Sequence, residues 1–377
     1  MIYTAQSRLC LLGLLALALA VPPAPALLNI DGTRSQIFVF GSVTLAHSSN
    51  ILSDATERGD YSTTVQAGIE LRRRAGIIAV NSTFKIDYTR YQHYSGEDAF
   101  NPYLSIEFDK TNGRMTGSLS VNAYRESRSD SAVNLRTDAW NFPVALSLKY
   151  PINEKLYVTS QTSYLERRYR SSAVLANYTD YTEGLDFYYV YTSKLDLVGG
   201  YRIRLSQTSL GGDTYDHWFN IGATGALLAK LNGSVRLGYQ IRALGSGGAR
   251  YNQVNALASL SWPVTRKLAL NGQVSRDFNT IATGASVDSS SVALNATYSF
   301  TRKLDFSSGL SYGRNTFLNT APPTRHDHFF GYDLGARYRM NEHLQLGASY
   351  VYFRNHSSLS FSDFARQGVS FDISSRY

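Results

Sequence analysis

The feature that most constrains this chain is a period of two. Beyond the first 26 residues, segment after segment alternates apolar side chains with polar or charged ones. Between Ile78 and Tyr88, one face carries Ile78, Val80, Phe84, Ile86 and Tyr88, and the other carries Asn81, Thr83, Lys85 and Asp87. Val65, Ala67, Ile69 and Leu71 alternate with Gln66, Glu70 and Arg72 in the same way. Val292–Phe300 and Leu334–Met340 repeat the pattern. Successive side chains of a strand point to opposite faces. A soluble barrel of this size packs its interior with apolar groups, whereas here one face bears full charges. The pattern fits strands with lipid on one side and water on the other. No helical periodicity of any length is visible, and the hydropathy is too low for a bundle of membrane helices, which needs repeated apolar runs of about 18 residues. The fold class expected is all-β: a transmembrane antiparallel up-and-down β-barrel of about 18 strands, within a range of 16–18.

The connections come in two kinds. Short turns follow one recipe: an aromatic or apolar residue, a polar turn, a basic residue, then Leu. It appears in YPINEKLYV around Asn153, WPVTRKLAL around Thr265, YSFTRKLDF around Thr301 and YRMNEHLQL around Asn341. YTSKLDL around Ser193 and FDKTNGRM around Asn112 are looser versions, and Asn-Gly is a strong hairpin signal. Tyr150, Trp262, Phe300 and Tyr338 sit one step inside these turns, where an interfacial aromatic girdle would lie. Between the turns fall longer polar stretches: His47–Asp60, Tyr91–Asn101, Arg125–Ala139, Glu166–Tyr181, Ser206–His217, Ala243–Asn252, Phe278–Ser290, Gly313–His328 and Arg354–Arg366. Alternation of short periplasmic turns with longer extracellular loops is the asymmetry of an outer-membrane barrel. None of these loops stands out as one that folds into the bore, so side chains alone are expected to restrict it.

The first 26 residues read as a cleaved secretory signal peptide. Arg8 supplies the charged n-region, Leu9–Val21 the apolar core, and Ala24-Pro25-Ala26 a small-residue cleavage site. Residues 27–377 then form a single outer-membrane barrel domain. Cys10 leaves with the leader, so thiolate metal sites, disulfides and cysteine nucleophiles are not expected. Of 37 basic residues, Arg8 also leaves; 36 against 29 acidic residues gives the mature chain a formal charge of +7. Behind an export signal this excess implies a lumen or loop surface favouring anionic solutes, and no nucleic acid partner is expected.

Inward-phased charges are the candidate pore lining: Arg72, Lys85, Lys149, Arg202, Arg204, Arg236, Arg242, Arg337 and Arg339, against Glu70, Asp87, Glu107, Asp186 and Asp333. Such groups tune solute preference as charged rings do in other pores. Tyr124, Tyr157 and Tyr188 share that phase and could stack on sugar rings. His47-Ser48-Ser49 and His356-Ser357-Ser358 put His beside Ser, but neighbours on a strand face opposite ways. His326-Asp327-His328 offers two imidazoles without a third nearby ligand. No catalytic role, cofactor or metal is expected. Arg72-Arg73-Arg74 and Arg167-Arg168 read as solvated strand ends. In the last strand Val369, Phe371, Ile373 and Tyr377 share a face and the chain ends on an aromatic, like the C-terminal signal read by the barrel assembly machinery.

Three segments carry a family likeness: FVFGSVTLAHSSNILSD (Phe38–Asp54), GIELRRRAGIIAVNSTFKIDYTRY (Gly68–Tyr91) and YTSKLDLVGGYRIRL (Tyr191–Leu205). In them the chain resembles the outer-membrane β-barrel porins found beside exopolysaccharide export systems in Gram-negative bacteria. The resemblance implies an 18-stranded pore that lets a secreted polysaccharide cross the outer membrane, with a periplasmic export component supplied by another protein. It implies no catalytic residues. A general diffusion porin for small, preferentially anionic solutes, and a non-conducting barrel that presents adhesive loops, are the alternatives.

Overall fold

The computed structural model describes residues 28–29, 35–170, 174–245, 248–318 and 324–377. The signal peptide read in residues 1–26 lies outside them. Eighteen long strands form one closed antiparallel sheet. They are β2 (Ser35–Ser48), β3 (Asp60–Ala75), β4 (Ile78–Tyr91), β5 (Ala99–Lys110), β6 (Thr116–Asp130), β7 (Leu135–Pro151), β8 (Leu156–Tyr169), β9 (Tyr178–Thr192) and β10 (Leu195–Thr208), followed by β11 (Thr214–Ala226), β12 (Asn232–Leu244), β13 (Arg250–Pro263), β14 (Leu268–Thr280), β15 (Ser286–Ser299), β16 (Leu304–Leu318), β17 (His326–Arg339), β18 (Leu344–Ser357) and β19 (Phe364–Arg376). A two-residue β1 (Leu28–Asn29) pairs with the start of β2. Each long strand pairs with its neighbours in sequence, and β19 closes the ring on β2, from Gly368 opposite Ser48 to Arg376 opposite Phe40. The terminal Tyr377 exchanges both backbone hydrogen bonds with Val39, so the last residue completes the seam.

Alternation and register place the apolar set on the outside. Ile69, Phe84, Leu104, Phe187, Leu237, Val292 and Phe371 are all exposed, and Ile221 is 72% exposed. A continuous exposed apolar surface of this extent is the signature of contact with lipid. Tyr150, Trp262, Phe300 and Tyr338 are exposed at the rim where β2 begins and β19 ends.

The turn recipe has a physical cause. At that rim the side-chain oxygens of Asn153, Thr265, Thr301 and Asn341 each accept from the backbone N–H groups two and three residues on, at 2.8–3.2 Å. This is the local turn that Asn and Thr side chains favour. The basic residue then reaches the next hairpin: Lys267 Nζ donates to the Phe300 carbonyl and Lys303 Nζ to that of Met340, both at 3.1 Å, and the His343 ring lies 2.9 Å from the Arg376 carbonyl. Turn is thus tied to turn around part of the rim.

The far rim differs from the expectation of long loops. The strands have 12–17 residues and run well past the 9–11 that cross a bilayer. The stretch Arg125–Ala139 is almost all strand, with residues 131–134 as its turn, and Phe278–Ser290 likewise turns only at residues 281–285. Polar alternation marks strand that has left the lipid as well as loop, so composition alone overstates loop length.

Candidate functional site

The bore is the candidate site, and its upper part is narrowed by backbone as well as side chains. Two hairpins from nearly opposite walls leave the cylinder near the far rim. Pairing of β5 with β6 stops at Tyr103 opposite Tyr124, so Ala99–Pro102 and Arg125–Asp130 lie apart. The β6–β7 tip instead crosses to strands on the other side of the seam. Arg325 donates to the carbonyls of Ala132 (2.6 Å) and Ser131 (3.2 Å) while bound to Asp327. Asn134 Nδ2 donates to the Ser53 carbonyl at 2.9 Å, and Arg366 Nη1 bridges the Ser53 and Ser129 hydroxyls at 3.0 Å. Likewise, β13 and β14 pair only up to Ala256 opposite Arg276. Beyond that point the top of the β14–β15 hairpin turns inward, burying Phe278, Ala282 and Val287, and the Ala282 carbonyl accepts from the Ala176 N–H at 2.7 Å. The expectation that no loop enters the bore is therefore corrected. The sequence shows each strand's period but not where a ladder ends.

A charged joint holds the second hairpin. Asp216 receives Arg242 Nε and Nη2, each at 2.7 Å, and Arg204 Nε at 2.8 Å. Arg242 also donates to the Asn279 carbonyl (3.0 Å) and the Ser286 hydroxyl (3.2 Å), and Arg204 donates to the Phe278 carbonyl. Gln240 binds Asp277 at 2.8 Å. Arg242, Asp216 and Gln240 are fully buried. Arg242, expected in the lining, is thus enclosed between wall and hairpin; Asp186, 4% exposed, is held by Arg236 at 2.9 Å. Space for such carboxylates comes from inward glycines: a side chain at Gly200 would collide with Asp186, and one at Gly309 with Asp333.

The other candidate residues fall along the inner wall in local clusters. Near the seam, Arg72 and Arg376 cover the Phe38 ring at 5.1 and 4.5 Å, and both pair with Glu70. Lys85 bonds Asp87 at 3.1 Å and lies over Tyr103. Arg339 pairs with Asp305 at 2.7 Å. Arg202 takes only the Gln161 amide, at 3.3 Å. Among the described residues, Lys149, Arg202, Arg337, Glu107 and Asp333 have no ion-pair partner, so these are the charges most available to a solute. Gln161, Arg202, Trp218, Asn220, Arg236, Gln273, Ser275 and Asp277 surround a recess of about 420 Å³.

The inward tyrosines are not free platforms. Tyr157 and Tyr188 stack on each other at 4.5 Å, Lys149 lies 3.8 Å from the Tyr157 centroid, and Arg236 binds the Tyr188 hydroxyl at 2.6 Å. With Tyr188 buried, that stack offers a sugar little open ring face. Tyr124 packs against Tyr103. The His326-Asp327-His328 group does not converge either. Asp327 turns inward to Arg325 and Ser357, and His328 faces outward to the Tyr312 hydroxyl at 3.0 Å. Val369, Phe371, Ile373 and Tyr377 lie on the outer phase of β19, with Tyr377 stacked on His343 at 4.8 Å.

Two features were not read from the sequence. Asp216 lies in a stretch that reads as loop, although its inward phase on β11 was the signal. Glu183 lies on the lipid-facing side of β9, between exposed Tyr181 and Leu185, and accepts from the hydroxyls of Ser160 (3.0 Å) and Thr162 on β8. A carboxyl so placed costs free energy unless it is hydrogen-bonded.

A closed barrel with an apolar outer band and a charged inner wall has the architecture of an outer-membrane β-barrel. Over residues 201–377 the chain matches the family model described as "Putative beta-barrel porin 2", which bears out the likeness to outer-membrane porins. Of the three segments that carried that likeness, only the end of Tyr191–Leu205 falls within the match. No curated protein sequence matches significantly. Among solved structures, the chain is similar to OpdK of Pseudomonas aeruginosa (9% identity, 90% of this chain and 99% of that one, TM-score 0.54). It is similar to OccK2 (OpdF) of the same organism (11% identity, 91% and 97%, TM-score 0.53). It also resembles the FrpB iron transporter of Neisseria meningitidis (10% identity, 89% of this chain, TM-score 0.50), spanning 64% of that chain's length. At these identities the likeness is one of fold.

Proposed function

We propose that this barrel is a selective conduit for hydrophilic, preferentially anionic cargo, and that its cargo is an acidic exopolysaccharide strand. The observation that carries the reading is the chemistry of the inner wall. Hydroxyls, amides and paired charges line it, and three of its cations, Lys149, Arg202 and Arg337, lack a carboxylate partner among the described residues. A wall of this kind passes hydrated solutes and attracts carboxylates without holding them in one deep pocket. The family likeness supports a saccharide polymer, with a separate periplasmic component delivering it. A second reading, small anionic solutes, is favoured by the two infolded hairpins, which leave less room than a plain 18-stranded bore.

Single-channel recording of the refolded barrel in a planar bilayer tests both. Brief blockades by an acidic polysaccharide, absent with a neutral polymer of the same size, are expected for the conduit. Anion-selective current indifferent to either polymer would favour the small-solute reading. A cation-selective pore would refute the proposal.

A further inference from the structure

We propose that the top of the β14–β15 hairpin is a gate that exchanges between two hydrogen-bonding states, one docked inside the bore and one zipped onto β13. Its effect on flow rests on the channel reading; the movement does not.

The unused ladder is the first observation. β13 keeps its pairing with β12 up to Ala243 opposite Arg250, so its upper half stays extended. Its other edge loses β14 above Ala256 opposite Arg276. Continuing that register would set Asn255 opposite Asp277, Val254 opposite Phe278, Gln253 opposite Asn279 and Asn252 opposite Thr280. An extended edge with a register-matched strand beside it is a ready pairing site.

The substitutes are the second. In the docked state the carbonyl of Arg276 accepts from the Asn255 side chain and that of Phe278 from Arg204. Residues two apart turn their carbonyls to the same neighbour, and Arg276 already stands in the last pair, so the Phe278 carbonyl is the next acceptor that a longer β13–β14 ladder would use. Side chains stand in for the backbone, and a shift between the states exchanges one set of partners for another. The hairpin can move as a unit, because β14 and β15 stay paired to Thr280 opposite Ser286.

Phe278 has a place to go in either state. Docked, it is buried beneath Arg242, whose guanidinium lies 5.3 Å from the ring centroid. Zipped, it would join Val254, which is 58% exposed on the outer face, at the upper edge of the apolar band. Only part of the ring would then exchange a buried setting for water, which limits the hydrophobic term that opposes the swing.

Two cysteine pairs, each in a Cys10→Ser background, test the gate. Val254→Cys with Phe278→Cys are cross-strand neighbours only in the zipped state. Ala176→Cys with Ala282→Cys sit where the docked hairpin meets the β8–β9 loop. Link formation is read by mass spectrometry on the folded barrel, and conductance before and after reduction. The proposal expects the first pair to form and to raise conductance several-fold, reversibly. It expects the second to hold the barrel in its low-conductance state. Failure of the first link in folded barrels that form the second overturns it, as does equal conductance of the two linked forms. The first link forming in a barrel that passes no ion would stand for the movement and against the channel reading.

Discussion

Removing Asp216 tests the joint that fixes the docked hairpin. Asp216→Ala leaves Arg242 and Arg204 each without two hydrogen bonds to a carboxylate. Each charge-assisted bond is worth about 1.5–3 kcal/mol, so the four would sum to about 6–12 kcal/mol if nothing compensated. Compensation is available to one partner only. Asp277 lies 3.7 Å from Arg204, whereas Arg242 is fully buried with no second carboxylate within reach among the described residues. The expected loss is therefore about 3–5 kcal/mol, the range for breaking a buried ion pair from one side. Reversible urea unfolding from lipid vesicles measures it. A double cycle with Arg242→Met should recover part of the loss, because the stranded cation is then gone. A loss below about 1 kcal/mol would refute the reasoning, since it would mean that water reaches the joint and solvates both guanidinium groups as it does surface pairs.

Other consequences follow from single positions. Arg202→Glu turns a free cation of the recess into an anion, and the reversal potential in a salt gradient should move toward cation selectivity while urea stability stays within about 0.5 kcal/mol. Gly225 has φ +122°, and a side chain there would collide with the Lys194 carbonyl, so Gly225→Val should cost about 1–3 kcal/mol by the same unfolding assay. Glu183→Leu replaces a lipid-facing carboxyl and should hold or raise stability by about 1 kcal/mol; a fall would show that the hydroxyl cluster of Ser160 and Thr162 needs it. Deleting Tyr377 removes the last seam contact and should slow assembly into vesicles with little change in the strand content of barrels that do fold, read by circular dichroism.

Much of the fold was legible in the chain. Period-two patterning gives the facing of each residue, because the strand's geometry admits no other spacing. Strand number follows from counting such segments, and Asn153, Thr265, Thr301 and Asn341 mark their turns since their side chains cap backbone N–H groups locally. Inward residues such as Lys149, Arg202 and Glu107 were legible for the same reason. What tertiary structure alone decided is where ladders stop. The Arg125–Asp130 and Asp277–Thr280 segments alternate like any strand, yet they leave β5 and β13 because distant side chains hold them: Arg366 bonds the Ser129 hydroxyl and Arg325 the carbonyls of the adjoining turn for one, and Arg204 and Arg242 bond the Phe278 and Asn279 carbonyls for the other. Those partners lie dozens to hundreds of residues away, and no local period records them. The sequence by itself thus determined a barrel with one wet face. The inward turn of the β14–β15 hairpin, which lays it against β10–β12, determined that Arg242 is buried in a joint while Arg202 is left open to the bore.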